Sequence, residues 1–150
     1  MSERNSTVPI RRIEVSSYTV PTDFPESDGT LEWDSTTLVL VHASAGGKRG
    51  LGYTYADTAT ARLINDLNDL LSKIVEGHDA TSVPVVWQAM VRRIRNLGRP
   101  GIVSMAISAV DTALWDLKAR LLGLPLVTQS QGISSSFTSR YPTIRTIFSV

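Results

Sequence analysis

Residues 36–55 contain two runs of strand-forming residues that are separated by a segment with two adjacent glycines. The segment opens with TTLVLVHA, whose β-branched and aliphatic residues favour a strand. SAGGK follows with the glycines that a tight hairpin loop requires, and RGLGYTY then returns as a further strand. A preceding strand is predicted at 10–20, where Ile13 and Val15 share one face. The pattern therefore predicts a three-stranded antiparallel sheet.

The segment between the first two strands has the composition of a loop. Residues 21–29, PTDFPESDG, contain two prolines, an Asp-Gly pair and several small polar residues. We expect an exposed and mobile loop there. Residues 1–9 are polar and are expected to form a disordered lead to the domain.

After the third strand the hydrophobic period changes from that of a strand to that of a helix. Residues 63–74 carry one apolar stripe, with Asp57 or Thr58 suited to cap the helix and Gly77 placed to end it. A second helix is predicted from Ser82 onward, with a proline in its first turn.

The third helix is the most apolar segment of the chain and is predicted over Ile102–Leu122. Gly123 and Pro125 end it. Its alanines and Ser108 predict close packing against another element. A meander of three strands followed by a group of three helices is an α+β fold.

Composition excludes several classes of protein. No cysteine is present, so disulfides, thiol nucleophiles and thiolate metal sites are absent. The net charge of +1 gives no electrostatic reason to expect a nucleic acid as partner, and the arginines at 92–99 are interpreted as a solvated helix face. The apolar stretches are far shorter than a membrane span, and because residues 1–9 are polar we expect no secretory signal there. We expect a cytoplasmic protein.

A specific resemblance lies in residues 106–127, AISAVDTALWDLKARLLGLPLV. This segment resembles the helix that ends the N-terminal domain in the mandelate racemase and muconate lactonizing family of the enolase superfamily. GLGYTYA at 50–56 also looks like the third strand of that domain, and the resemblance covers about 10–128. The matching residues of the helix are Asp111, Ala113, Leu114, Asp116, Leu117, Ala119, Arg120, Pro125 and Leu126.

The resemblance implies an N-terminal capping domain, which in the family covers the mouth of a catalytic (β/α) barrel. Family members abstract the proton next to a carboxylate in a sugar acid or similar substrate and hold the enediolate with Mg²⁺, as racemases, dehydratases or cycloisomerases. The catalytic and metal-binding residues lie on the barrel. The resemblance therefore implies no catalytic, cofactor or metal residue in this chain, and Mg²⁺ only in a full-length relative.

The resemblance stops where residues 129–150 begin, because a segment rich in Ser, Thr and Arg replaces the start of the barrel. A barrel takes about 250 residues. We therefore expect a truncated and inactive chain, whose tail arises from a frameshift, a splice junction, a premature stop or natural variation. The expected partner is the missing barrel domain or another copy of the chain.

The rival hypothesis is a non-catalytic interaction module that uses the apolar face of helix 102–122. In either case we expect that face to be exposed in the isolated chain and to promote aggregation. A defined dimer would favour the module, and soluble aggregates would favour the separated half of an enzyme.

Two segments are candidates for substrate contact by the same resemblance, Pro21–Thr30 and Gly50–Tyr55. Phe24 is expected to supply an apolar lid contact. Tyr53 or Tyr55 is expected to offer a hydroxyl to the substrate, with only one of the two facing it.

Two acids in the third helix are candidate metal ligands by residue type. Asp111 and Asp116 are five positions apart, about 140° around a helix, so they do not point together at one ion. Local hydrogen bonds or contact with the barrel explain them better. Gly46, Gly47 and the two glycines that follow are interpreted as hairpin glycines, because their spacing fits no phosphate-binding loop.

Overall fold

The computed structural model describes residues 7–127 as three strands followed by three helices, which confirms the α+β fold. Residues 1–6 and 128–150, which include the whole tail 129–150, lie outside the described residues, so the predictions for them are not tested. The elements are β1 (Arg12–Ser27), β2 (Glu32–Ala45), β3 (Lys48–Ala56), α1 (Thr58–Val75), α2 (Val83–Arg93) and α3 (Ile102–Leu122).

The strands form one antiparallel sheet in the order β1-β2-β3. The hairpin between β2 and β3 closes at Gly46 and Gly47, whose φ angles of 54° and 73° lie in the left-handed region. Two consecutive residues with positive φ give the turn that matches the twist of paired strands, and glycine adopts it without a Cβ clash. The predicted hairpin is confirmed.

The segment 21–29 is a strand for most of its length, so the prediction of a mobile loop there is wrong. β1 continues to Ser27, with a shift in pairing between Pro21 and Glu26. Glu26 then pairs with Trp33, whose indole Nε1 donates to the Glu26 carboxylate at 2.9 Å. The prolines are tolerated because β1 is an edge strand, where a missing N–H need not break a ladder hydrogen bond.

A tight turn joins β1 to β2. One carboxylate oxygen of Asp28 accepts the backbone N–H groups of Thr30 and Leu31 at 2.9 and 3.0 Å, while Gly29 takes a φ of 88°. A hydrogen bond from the Thr30 hydroxyl, together with these two backbone bonds, lowers the pKa of Asp28 to about 2. The Asp-Gly pair therefore forms a tight turn between two paired strands and not an open loop.

α1 and α3 pack on one face of the sheet, and α2 packs against those two helices. Val39, Val41 and Ala43 of β2 point into the core and are fully buried, and the helices meet them from that side. The intervening positions, among them Leu38 and Leu40, point to the opposite face.

The helix ends follow the sequence signals. Asp57 is the N-cap of α1 and accepts the backbone N–H groups of Ala59 and Thr60 at 2.9 and 3.0 Å. Gly77 follows the C-cap with a φ of 88°. Ser82 precedes α2, which confirms its predicted start.

The apolar face of α3 is covered inside the domain, so the expectation that it is exposed is wrong. Ala106, Ala109 and Ala113 are fully buried, and β3 is the element that α3 contacts most. The side turned away from the sheet is more polar, and Ser108 is exposed there. Across the part of the chain that the structure describes, every helix is too short or too polar to serve as a membrane span.

The domain begins earlier than the predicted lead suggests. Val8 donates its N–H to the Asp79 carboxylate at 3.1 Å and accepts the Ala80 N–H at 2.8 Å. Pro9 pairs with Asp79, and Ile10 is 2% exposed. Residues 8–10 are therefore held against the connection between α1 and α2.

Candidate functional site

The outer part of the β1–β2 hairpin is the most exposed apolar segment among the described residues. We call residues 20–35 the ribbon. Phe24, at the shift in pairing, is 81% exposed, and Leu31 beside the turn is 70% exposed. In an antiparallel meander the end of β1, the start of β2 and the end of β3 lie at the same end of the sheet. The ribbon and the junction between β3 and α1 therefore lie at one end of the domain.

Tyr53 and Tyr55 lie on the same face of the sheet, so the expectation that only one of them would face a given side is wrong. Side chains two positions apart on a strand point the same way. Tyr53 is opposite Leu40 and Tyr55 is opposite Leu38 in the pairing of β3 with β2. The two tyrosines are 59% and 65% exposed. We call this side of the sheet, turned away from the helices, the outer face.

Asp116 ties the third helix to the third strand. One of its carboxylate oxygens accepts the backbone N–H of Leu51 at 2.8 Å and the Arg120 Nε–H at 2.8 Å. The bond from Arg120 is local, as one of the two predicted explanations requires, whereas the bond from Leu51 joins residues far apart in the chain. Asp116 therefore satisfies a strand N–H and has a positioning role within the domain.

Asp111 lies on a different side of α3. It lines a shallow pocket between α2 and α3 together with Trp87 and Arg99, whose guanidinium carbon stands 5.2 Å from the Trp87 ring centre. Burial raises the pKa of Asp111 to about 6, and a hydrogen bond from Trp115 opposes that rise. The sequence signal for this pocket is weak, because its residues come from two helices and the loop between them.

The donor set of the described residues does not fit a magnesium site. Mg²⁺ takes six oxygen ligands in near-ideal octahedral geometry, with at least one or two carboxylates. Asp116 directs its oxygen at a backbone N–H and an arginine, and Asp111 is a largely buried acid with a raised pKa. Within 7–127 no group of three acidic or histidine side chains converges on one point.

Two glycines of β3 are part of the packing with α3, which the sequence analysis did not detect. A Cβ on Gly50 would lie 2.2 Å from the Ala113 carbonyl oxygen, and a Cβ on Gly52 would lie 2.0 Å from that of Ala109. The strand backbone therefore rests directly on the helix backbone. The signal that could have revealed this contact is the alternation of glycines in β3 together with alanines at helical spacing in α3.

A three-stranded antiparallel meander with three helices on one face and an extended first hairpin defines a capping domain of the enolase type. The sequence profile of the "Mandelate racemase / muconate lactonizing enzyme, N-terminal domain" matches residues 12–129. The chain belongs to this family.

The relatives are longer proteins, and the chain matches about a third of each of the two described next. The chain is 34% identical over 123 residues to a 3,6-anhydro-α-L-galactonate cycloisomerase of Streptomyces coelicolor, covering 78% of this chain and 33% of that protein. It is 60% identical to a mandelate racemase/muconate lactonizing enzyme-like protein from Rubrobacter xylanophilus, with a TM-score of 0.74 over 81% of this chain and 33% of the other. The chain thus spans about a third of the length of these relatives.

Several of the similar structures were solved with bound magnesium and a ligand. An L-talarate dehydratase from Polaromonas sp. JS666 was solved with Mg and L-glucarate, at 25% identity and a TM-score of 0.74 over 82% of this chain and 35% of that one. Magnesium is thus present in a full-length relative.

Proposed function

We propose that the chain is the substrate-covering part of a magnesium-dependent enzyme that acts on a sugar acid, as a dehydratase or a cycloisomerase. The match to the N-terminal domain of the family supports the domain assignment. Relatives that are a cycloisomerase of an anhydro-galactonate and dehydratases of rhamnonate and of talarate support the substrate class. Each of these substrates is a polyhydroxylated carboxylate.

The observation that carries the proposal is the ribbon with Phe24 at its shift in pairing. Its aromatic ring is 81% exposed on a paired strand, where a solvent-facing position ordinarily holds a polar residue. We propose that Phe24 covers the substrate at the mouth of a barrel and excludes water from it. Exclusion of water strengthens the electrostatic interactions that hold an enediolate.

The predicted contacts of Tyr53 and Tyr55 with substrate are kept as predictions. Both tyrosines lie on the outer face and not on the ribbon. The proposed role of Phe24 does not depend on them.

We further propose that the chain by itself does not catalyse the reaction. Abstraction of a proton next to a carboxylate requires a base beside the carbon and a cation beside the developing charge. Among the described residues Asp116 is engaged by a strand N–H and an arginine, and Asp111 is largely buried and lines a pocket between two helices. The base and the magnesium ligands would belong to a barrel.

Two measurements test the proposal. The 150-residue chain with Mg²⁺ and a panel of sugar acids is expected to give no turnover. Turnover would contradict the proposal that the base and the magnesium ligands belong to a barrel. Residues 7–127 are also grafted in place of the equivalent domain of the Rubrobacter xylanophilus protein, which is 60% identical. The graft is expected to consume at least one sugar acid, and a folded graft without any such activity would contradict the proposal.

Within an active graft, Phe24→Ala tests the ribbon directly. Loss of an aromatic lid contact is expected to lower kcat/KM by about tenfold, or about 1.4 kcal/mol of transition-state stabilisation. Val85→Ala is the matched control, because Val85 is an apolar residue of α2 that is 58% exposed and remote from the ribbon. If Phe24→Ala and Val85→Ala lower kcat/KM equally, the ribbon does not contact the substrate as proposed.

A further inference from the structure

The ribbon carries negative charge and no positive charge. Among residues 20–35 five are acidic, and none is lysine, arginine or histidine. None of these carboxylates forms an ion pair with a basic side chain of the described residues. The segment that surrounds the exposed Phe24 ring is therefore strongly anionic. The five acids are Asp23, Glu26, Asp28, Glu32 and Asp34.

Three of these acids lie close to Phe24. Asp23 precedes it in the chain, and Asp34 is the β2 residue opposite the shift in pairing that contains Phe24. Both acids are exposed. Glu26 follows two positions after Phe24 and accepts a hydrogen bond from the Trp33 indole, a neutral donor that leaves the negative charge in place. The apolar ring is thus bordered by carboxylates on its own strand and on the paired strand.

The other two acids lie at the tip of the ribbon. Asp28 occupies the turn, where hydrogen bonds from the Thr30 hydroxyl and from backbone N–H groups hold its pKa at about 2. Asp28 is therefore ionised at neutral pH. Glu32 is exposed on the paired strand. The negative charge extends along the whole ribbon.

The rest of this end of the domain does not reverse the charge. α1 follows directly on β3 and so begins at the same end of the sheet, with Asp57 as its cap and Arg62 in its first two turns. One anion and one cation offset each other there. The arginines of β1 and β3 pair with Ser44, which is ten residues along β2 from Asp34, or about 33 Å. They are too far away to neutralise the ribbon, because salt screens charges beyond about 8–10 Å.

Sugar acids of one configuration occur in two charge forms. An aldonate has a carboxylate at one end and a neutral hydroxymethyl group at the other. An aldarate has a carboxylate at both ends. Under the proposed function the reacting carboxylate belongs to the barrel that supplies the base, and the ribbon covers the rest of the substrate. The second end is therefore where the two forms would differ for the ribbon.

We propose that the ribbon selects aldonates and disfavours aldarates, because the second carboxylate of an aldarate would meet the carboxylates of Asp23, Glu26 and Asp34. The inference rests on the proposed function, since it requires the ribbon to cover the substrate. A neutral end lets the Phe24 ring approach the substrate without bringing like charges together. Specificity of this kind arises from repulsion of the wrong ligand.

Coulomb repulsion sets the size of the preference. In water, two unit charges roughly 10 Å apart weaken association about twofold. Three carboxylates near the ring therefore weaken association of a second carboxylate by about eightfold to tenfold. The Debye length is about 8 Å at physiological ionic strength, so the preference is expected to decline as salt is added.

The first measurement is the electrostatic potential at the ribbon of the full 150-residue chain. Relaxation enhancements of backbone amides by a cationic nitroxide are compared with those by an anionic nitroxide of the same size. The cationic probe is expected to give the larger enhancement at Phe24 and Asp34. The anionic probe is expected to give the larger enhancement at Lys48 and Arg49, which serve as the internal control. Equal or reversed enhancements at the ribbon overturn the proposal.

The second measurement uses the graft of residues 7–127 that tests the proposed function. Its kcat/KM is measured for aldonate and aldarate pairs of the same configuration, such as galactonate and galactarate. The aldonate is expected to be favoured by about tenfold at low salt and by less at high salt. A graft that uses aldarates equally well or better overturns this inference and leaves the proposed function standing. A folded graft that uses neither form contradicts the proposed function, and the inference falls with it.

Asp34→Lys within the graft isolates the contribution of the ribbon from that of the barrel. The change replaces one repulsion by one attraction, so the ratio of aldonate to aldarate kcat/KM is expected to fall about fourfold. The effect should lie mainly in a lower KM for the aldarate. Asp34→Asn removes the repulsion alone and is expected to lower the ratio about twofold.

Asp69→Lys is the matched control, because it makes the same charge change on the exposed side of α1. Asp69 lies eleven residues after the start of the helix, or about 16 Å along its axis. The ratio is expected to stay the same in this variant. A ratio that Asp34→Lys leaves unchanged overturns the proposal, and so does a ratio that Asp69→Lys lowers as much.

Discussion

Asp116 of α3 accepts the backbone N–H of Leu51 in β3, at 2.8 Å and across 65 residues of sequence. β3 is an edge strand, so this N–H has no further strand to pair with. The carboxylate replaces the missing strand at one position, and Arg120 holds the same oxygen from the next turn of the helix. A charged acceptor for a backbone N–H is stronger than a neutral one.

Asp116→Ala is expected to lower the free energy of unfolding by about 1–3 kcal/mol, because it leaves a strand N–H without its charged acceptor. Hydrogen exchange should accelerate at the Leu51 amide more than at other amides of β3. Asp66→Ala on the exposed side of α1 is the control and should change stability by less than about 0.5 kcal/mol. Equal losses in the two variants would contradict the assigned role.

Gly52→Ala is expected to destabilise the domain by about 3 kcal/mol or more, because its Cβ would lie 2.0 Å from a helix carbonyl and the backbones must separate. Gly47→Ala is the control. Gly47 has a φ of 73° and open space around its Cβ position, so only backbone strain of about 1–2 kcal/mol is expected. Urea unfolding of both variants gives the comparison, and a milder effect at Gly52 than at Gly47 would refute the direct contact.

Asn68→Leu is expected to stabilise the domain by about 1–2 kcal/mol. Asn68 is fully buried in α1, and neither polar atom of its amide has a hydrogen-bond partner within the described residues. Leucine has a similar shape and carries no polar group to desolvate. Asn65→Leu is the contrasting variant, because the Asn65 amide donates to the Ser17 hydroxyl at 2.6 Å. A thermal melt in which Asn68→Leu lowers Tm would show that the amide has a partner.

Asp111→Asn is expected to alter the dependence of stability on pH. Because the pKa of the folded carboxyl is raised to about 6, the folded chain keeps a proton that the unfolded chain releases at lower pH. The stabilising effect of that proton is complete below about pH 4 and is lost as the pH rises through 6. At pH 7 the variant should therefore be more stable by about 3 kcal/mol, a gain that largely vanishes near pH 4. A gain independent of pH would contradict titration of this group.

The sequence was sufficient to predict the structural features that depend on one or two neighbouring residues. The glycine turn, the Asp57 cap and the Gly123 end of α3 each follow from one or two residues, and the structure confirms them. The apolar period fixed the bounds of α3 at Ile102–Leu122.

The prediction of a mobile loop at residues 21–29 of the ribbon was wrong because the composition of this segment is that of a loop. Its two prolines and its Asp-Gly pair are compatible with an edge strand and a turn, and the sequence does not state which neighbour the segment pairs with. The predictions that the apolar face of α3 is exposed and that Tyr53 and Tyr55 face opposite sides were wrong for a related reason. Which apolar surface is covered depends on contacts such as Gly52 against Ala109, which join residues far apart in the chain.

The contact between Gly52 and Ala109 also determines how β3 can diverge during evolution. The inward positions of the strand hold glycine where the helix backbone is nearest, so almost all of its side-chain chemistry is displayed outward, at Arg49, Leu51, Tyr53 and Tyr55. Substitution of those outward residues leaves the core packing untouched. In β3, the inward positions therefore maintain the fold, and the outward positions are free to acquire a new binding specificity.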